Sequence, residues 1–172
     1  RPFEILLDGQ STCDIIVNEA MVTNIRTCDT TLVLRCQIGI GRINEIADLH
    51  GVGTVWFYRD GVANILSKYR MAVYSMWDIC YSTRTYRRTG DVRDLAYNCT
   101  TSEGVEIKFT PTTKGLHVFD ASPYFQPGSG TGGFVFGEKI IDNGTNGGMN
   151  MMNTRITGNT SFIETCHVGE GT

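Results

Sequence analysis

The residues FEILLDGQSTCDII, Phe3 to Ile16, carry most of the information about fold and function in this chain. A short apolar run ends on Asp8, and small, hydroxyl-bearing and glycine residues follow. A dense aliphatic run that stops at turn-forming residues is typical of a buried strand. An aspartate at such an exit commonly accepts backbone hydrogen bonds in the turn, and the local pattern alone favours this ordinary role. The other interpretation is that Asp8 is one half of a two-carboxylate catalytic site.

Length and composition indicate a soluble globular protein. The chain has 172 residues, of which 41% are hydrophobic and 19% charged, and this is enough for one domain or two small ones. No apolar run approaches the roughly 20 residues of a membrane span, and no signal-peptide pattern is present. We therefore expect an intracellular, cytoplasmic protein with no membrane partner. The net charge of −3 argues against a strong nucleic-acid surface.

The cysteines and histidines do not show the spacing of a metal or cofactor site. Six cysteines are widely and irregularly spaced, and no C-x-x-C pair occurs, so free thiols in a reducing compartment are expected. The three histidines are also far apart. No metal and no cofactor are predicted. A weaker alternative is a secreted β-domain with disulfides and glycans, because three segments match the glycosylation pattern: Asn98-Cys99-Thr100, Asn143-Gly144-Thr145 and Asn159-Thr160-Ser161.

Short β-rich runs separated by turns dominate the first 124 residues. The segment TLVLRCQIGIG places alternate apolar residues on one face, which is the signal of a half-buried strand. Residues 102–104 predict a hairpin turn between two further strands. The segment INEIADL suits either a strand or a short helix. Helix is expected to be minor, with candidates at 19–25 and 67–72. The most basic stretch, residues 81–93, is interpreted as a solvated loop because acidic residues adjoin it.

Composition changes near residue 124, and residues 125–172 are expected to be a linker or flexible tail rich in glycine and asparagine. Glycine and serine in a segment such as QPGSGTGG bury too little apolar surface to order the backbone.

Several segments, in colinear order, resemble the protease region of Copia-type retrotransposon polyproteins. The strand and turn ILLDGQST resemble the active-site strand of that family. The later pieces that carry the resemblance, over roughly two thirds of the chain, are VTNIR (22–26), TLVLRCQIGIG (31–41), GVGTVWFYRDGVANILS (51–67) and SEGVEIKFTPTTKGLHVFD (102–120). The last of these is similar to the start of the pre-integrase region.

The resemblance implies an all-β fold, in which a small closed retropepsin-like barrel over residues 1–70 is followed by a β-hairpin extension and a flexible tail. The extension is the β-rich part at residues 71–124 that resembles a pre-integrase region, and the tail is residues 125–172. It also implies an aspartic endopeptidase that acts as a homodimer, with Asp8 of each subunit as the catalytic carboxylate. Aspartic proteases place two carboxylates about 3 Å apart so that they share a proton and activate a water molecule. The substrate would be a polypeptide in an extended conformation. The residues implied to shape the active-site loop are Gly9, Gln10, Ser11 and Thr12.

A flap that closes over the peptide is implied at Gly39, Ile40 and Gly41, where glycine provides the freedom of a hinge. An ordinary hairpin turn is an equally good local interpretation.

The active-site turn departs from the family pattern in two places. Gly9 stands where a hydroxyl residue is expected, and Gln10 where glycine is expected. The alternative function is therefore a degenerate module that keeps the fold and dimerises or binds peptide without cleaving it.

Overall fold

A computed structural model of the protein describes residues 2–36, 39–124 and 163–167. The expected tail therefore lies outside the described residues except for one short strand. The turn of the expected flap, at residues 37 and 38, also lies outside them.

Eleven strands and only two short α-helices make up the described residues. The strands are β1 Glu4–Asp8, β2 Ile15–Ile16, β3 Thr23–Cys36, β4 Gly39–Leu49, β5 Gly53–Phe57, β6 Asn64–Ser67, β7 Asp78–Tyr81, β8 Tyr97–Thr100, β9 Glu106–Pro111, β10 His117–Asp120 and β11 Ile163–His167. The α-helices are α1 Lys68–Val73 and α2 Thr83–Thr89, and single 3-10 turns cover Glu19–Met21, Val92–Asp94 and Ser122–Tyr124. The predicted all-β class is confirmed.

The described strands form one mixed sheet in the order β11-β3-β4-β5-β2-β6-β1-β10-β9-β8-β7. The order has two ends, β11 and β7, so these strands make an open sheet rather than the closed barrel that was expected. Closure would require the two edge strands to pair, and instead β11 pairs in parallel with β3 while β7 pairs only with β8.

Strand β1 lies inside the sheet, between β6 and β10. It pairs in parallel with β6, so that Ile5 faces Asn64 and Asp8 faces Ser67. It pairs antiparallel with β10, where Leu6 faces Val118. All four residues of β6 are buried, whereas burial alternates along β1. The pairing therefore fixes the end of β1, and with it Asp8, against the start of α1.

Residues from both sides of position 70 share one buried core. Ile5, Leu7 and Leu66 pack in the same cluster as Trp77 and Phe109. A second cluster lies around Trp56, which is 2% exposed and is therefore a core residue. The first cluster therefore extends across residue 70, and the boundary expected there stays a prediction.

Local signals predicted several elements correctly. The turn at 102–104 joins β8 and β9, and the N–H of Thr101 donates to the carbonyl of Val105 at 2.8 Å. The ambiguous segment INEIADL is a strand, since it is part of β4.

The interpretation of the basic stretch as a loop is wrong for residues 83–89, which form α2. Gly90 ends this helix in the left-handed conformation at φ 70°, the usual C-terminal stop.

Candidate active site

Asp8 is the last residue of β1, and its half-buried side chain closes the turn that follows. One carboxylate oxygen, Oδ1, accepts a hydrogen bond from the backbone N–H of Gln10 at 2.8 Å. This is the Asx turn by which an aspartate commonly ends a strand. Gly9 and Gln10 are exposed, and Gln10 does not adopt a positive φ. The turn therefore does not require the glycine that the family pattern has at position 10.

Ser11 directly follows this turn, and its hydroxyl forms hydrogen bonds within the same loop. The hydroxyl donates to the carbonyl of Cys13 at 2.8 Å and accepts from the N–H of Cys13 at 3.4 Å. The side chain of Thr12, by contrast, is exposed. Ser11 is thus a structural hydroxyl, and Thr12 is the hydroxyl of this loop that solvent or a second subunit can reach.

Asp14 is a buried carboxylate that the sequence analysis did not single out. Its Oδ1 accepts from the N–H of Ser67 at 2.8 Å, and its Oδ2 accepts from Nε of Arg70 at 3.0 Å. Burial raises the pKa of Asp14 to about 6, and the charge of Arg70 offsets only part of that effect. The available signal was an aspartate directly before the apolar pair Ile15–Ile16, at the start of a buried strand.

Ser67 connects the loop after Asp8 to helix α1. Its hydroxyl donates to the carbonyl of Ser11 at 2.7 Å and accepts from the N–H of Arg70 at 3.2 Å, which makes it the N-cap of the helix. Ser11, Asp14, Ser67 and Arg70 together form the loop network. Since every member bonds to another part of the loop or the helix, the network holds the Asp8 turn in one place.

Asn64 holds the other end of β6 and is 1% exposed. Its side-chain oxygen accepts from the N–H of Val17 at 2.9 Å and of Asn18 at 3.3 Å. Its side-chain nitrogen donates to the carbonyls of Pro2 at 3.0 Å and Glu4 at 2.9 Å. The amide thereby joins β6 to both segments beside it, and its burial is fully compensated by hydrogen bonds.

Lys68 borders the turn on the side of α1. A Cβ atom added to Gly9 would lie 3.7 Å from Cε and Nζ of Lys68, which is ordinary van der Waals contact. The ammonium group also lies 5.1 Å from the ring centroid of Tyr97 and donates to the phenol oxygen at 3.5 Å. A serine therefore fits at position 9 without displacing backbone.

The expected flap residues lie on a different part of the sheet from Asp8. Gly39, Ile40 and Gly41 begin β4 and face Cys36, Arg35 and Leu34 of β3, so a hairpin is present. Ile40 is 68% exposed, as a residue near a hairpin tip would be. Strands β5, β2 and β6 separate β4 from β1 in the sheet. The described contacts do not join these three residues to the Asp8 turn.

The other sequence-based expectations concern thiols, metals and membranes. Cys13, Cys28, Cys80 and Cys99 form no disulfide bond in the described part of the chain, and burial raises the pKa of Cys99 to about 12. Residues 2–35 and 39–124 contain no cluster of three or more His, Cys, Asp or Glu side chains that could bind a metal ion. Within the described ranges, no helix has the length and apolar character needed to cross a membrane.

Comparison with known proteins finds no family model, no curated protein and no solved structure that matches this chain.

Proposed function

We propose that this chain is one subunit of a retropepsin-like aspartic endopeptidase, encoded within a retrotransposon polyprotein. The observation that carries the proposal is the position of Asp8. It ends a strand inside the sheet and faces Ser67 of the parallel strand β6, and Ser67 is a member of the buried loop network. A carboxylate used as a general base must be held in a defined place at a solvent-accessible edge, and Asp8 meets both conditions.

The mechanism follows from having one such aspartate per chain. In a homodimer the two Asp8 carboxylates would meet at the symmetry axis and share one proton, because two like charges at that distance cannot both ionise. The ionised carboxylate takes a proton from water, which attacks the scissile carbonyl, and the protonated one donates to the developing oxyanion. The N–H of Gln10 holds one oxygen of Asp8 and leaves the other available for this exchange.

The substrate in this proposal is a peptide in an extended conformation, bound by strand-like backbone hydrogen bonds. The flap would come from the β3–β4 hairpin, which carries the exposed Ile40 near its tip. The four free thiols support a reducing, cytoplasmic location for this reaction.

The second candidate is a non-catalytic module with the same fold, and the hydroxyl groups of the turn favour it. Gly9 has no hydroxyl to bond across a dimer axis, and the hydroxyl of Ser11 is already engaged with Cys13. Thr12 is the exposed hydroxyl residue of this turn, and its Oγ1 already lies 4.0 Å from Sγ of Cys13. A dimer built on this loop would then be weaker, and its two carboxylates less firmly held.

A cleavage assay on a denatured polypeptide mixture separates the two candidates. The parent chain is compared with Asp8→Asn and with Asp60→Asn, which alters an exposed aspartate that also precedes glycine. The endopeptidase predicts products from the parent and from Asp60→Asn, and none from Asp8→Asn. Products that survive in Asp8→Asn would exclude the aspartic mechanism. A chain that is dimeric by sedimentation and cleaves nothing would support the non-catalytic module.

A further inference from the structure

Helix α2 presents three arginine side chains with no acidic partner. Arg84, Arg87 and Arg88 are spaced at i, i+3 and i+4, so they lie on one face of the helix. All three are exposed, and no ion pair joins them to any of the described residues. An unpaired cluster of guanidinium groups is a binding surface for anions, since each can donate two parallel hydrogen bonds to a phosphate.

The nearest carboxylates along the chain are already engaged. Asp91 bonds to the guanidinium of Arg93, with an Nη2–Oδ2 distance of 2.6 Å, and this pairing lowers the pKa of Asp91 to about 2. Asp94 accepts a hydrogen bond from the hydroxyl of Thr89. Asp91 is therefore paired with Arg93, and within the described residues no ion pair joins Asp94 to an arginine of α2.

An exposed stack of aromatic rings directly precedes the helix. Tyr81 is 41% exposed and stacks on Tyr97, with ring centroids 4.7 Å apart and planes at 26°. His117 contacts both rings edge-on, and Lys68 lies over the ring of Tyr97. The ring of Tyr81 is thus positioned by stacking on Tyr97, and the residue remains exposed to solvent.

The ring stack and the helix are held together by Ser82. The hydroxyl of Ser82 lies within hydrogen-bond distance of the carbonyls of Asp94 and Ala96 and accepts from the N–H of Ala96 at 3.1 Å. The backbone N–H of Ser82 donates to the carbonyl of Ala96 at 3.0 Å. Since Ser82 lies between Tyr81 and the first residue of α2, and Ala96 adjoins Tyr97, this anchor fixes the start of the helix beside the stack. We call the combined area, Tyr81 with Arg84, Arg87 and Arg88, the Tyr81–α2 surface.

We propose that the Tyr81–α2 surface binds single-stranded nucleic acid. Arginines that contact phosphates, next to an exposed aromatic ring on which a base can stack, are the two components of sequence-tolerant single-strand binding. The ring favours nucleic acid over an acidic polypeptide, which has charge but no bases to stack. The chain as a whole carries a net charge of −3, so any attraction to a polyanion must come from a local surface such as this one.

The test is binding of the full chain to a fluorescent single-stranded oligonucleotide of about 12 nucleotides, followed by anisotropy. The variant Arg84→Gln/Arg87→Gln/Arg88→Gln is compared with Arg35→Gln/Arg42→Gln/Arg59→Gln, which removes the same charge from exposed arginines elsewhere. If three phosphates are contacted, log K falls with log salt at a slope of about −2. We expect the α2 variant to lose most of this slope and at least about tenfold in affinity, and the control variant to keep both.

Substitution of the ring tests the stacking component independently of charge. Tyr81→Leu should weaken binding about tenfold, whereas Tyr81→Phe, which keeps the ring, should bind as the parent does. Equal losses in the two arginine variants, no binding by the parent, or equally tight binding of polyglutamate would each overturn the proposal. Circular dichroism of each variant verifies folding, and none of these measurements depends on peptide cleavage.

Discussion

Nε of Arg70 lies 3.0 Å from the buried carboxylate of Asp14, and 56 residues of chain separate the two. Asp14 is 2% and Arg70 13% exposed, so the pair is almost entirely removed from solvent. It joins helix α1 to the loop that follows Asp8. The position of the candidate catalytic residue therefore depends on a contact that is remote from it in sequence.

Removing the arginine should destabilise the protein strongly. Arg70→Met leaves an unpaired buried carboxylate, which typically costs about 3–5 kcal/mol. Arg26→Met removes the partly exposed partner of Asp48 and should cost less than about 1 kcal/mol. Urea unfolding of both variants measures the difference. Equal losses would show that burial of the Asp14 pair has no special energetic consequence.

The raised pKa of Asp14 predicts a specific pH dependence of stability. Because the folded-state pKa is about 6 and the unfolded value 3.8, the folded state binds the extra proton between these values. The contribution of Asp14 to the free energy of unfolding should therefore fall by roughly 3 kcal/mol as pH rises from about 4 to 6, and stay constant above. The measured quantity is the difference in unfolding free energy between the parent and Asp14→Asn.

Asn is the suitable replacement in this comparison, because its side chain has nearly the shape of aspartate and does not titrate. A difference that rises with pH for Asp14→Asn would mean that Arg70 outweighs burial and holds the pKa of Asp14 below its ordinary value.

A serine at position 9 should strengthen the proposed dimer. Contacts to Lys68 at 3.7 Å leave room for the side chain, and the position does not have a positive φ. One hydroxyl hydrogen bond from each subunit, at about 1 kcal/mol each, predicts roughly a tenfold or larger decrease in the dimer dissociation constant. Sedimentation measures the constant for Gly9→Ser. Gly9→Ala has the same backbone effect without the hydroxyl, and an equal gain there would contradict this reasoning.

Loss of the Asn64 amide should also be costly. Asn64→Ala leaves two N–H groups and two carbonyls without their partner, which should lower the unfolding free energy by about 2–4 kcal/mol. Asn44→Ala, at an exposed position of β4, should change it by less than about 0.5 kcal/mol. Urea unfolding again provides the comparison, and a cost at Asn64 no larger than at Asn44 would refute the role assigned to the amide.

Features specified by neighbouring residues were predictable. The strand that ends at Asp8, the hairpin at 102–104 and the short helix after Ser67 were all expected, because apolar runs and turn residues act within a few positions. Helix α2 was missed because it has no apolar stripe and no buried residue. The signal available was the basic pair Arg87 and Arg88 in the last turn, followed after Thr89 by Gly90, which is the usual ending of a helix.

The sequence alone determined that Asp8 ends a strand in a turn, since the aliphatic run and the turn residues are adjacent. Only the tertiary structure decided what lies beneath that turn. Asp14 meets Arg70, and Ser11 meets Ser67, through the parallel pairing of β1 with β6, whose strands are about 60 residues apart in the chain. Parallel pairing depends on packing across that distance, which no local pattern encodes, and the same reason explains why the open sheet was not foreseen.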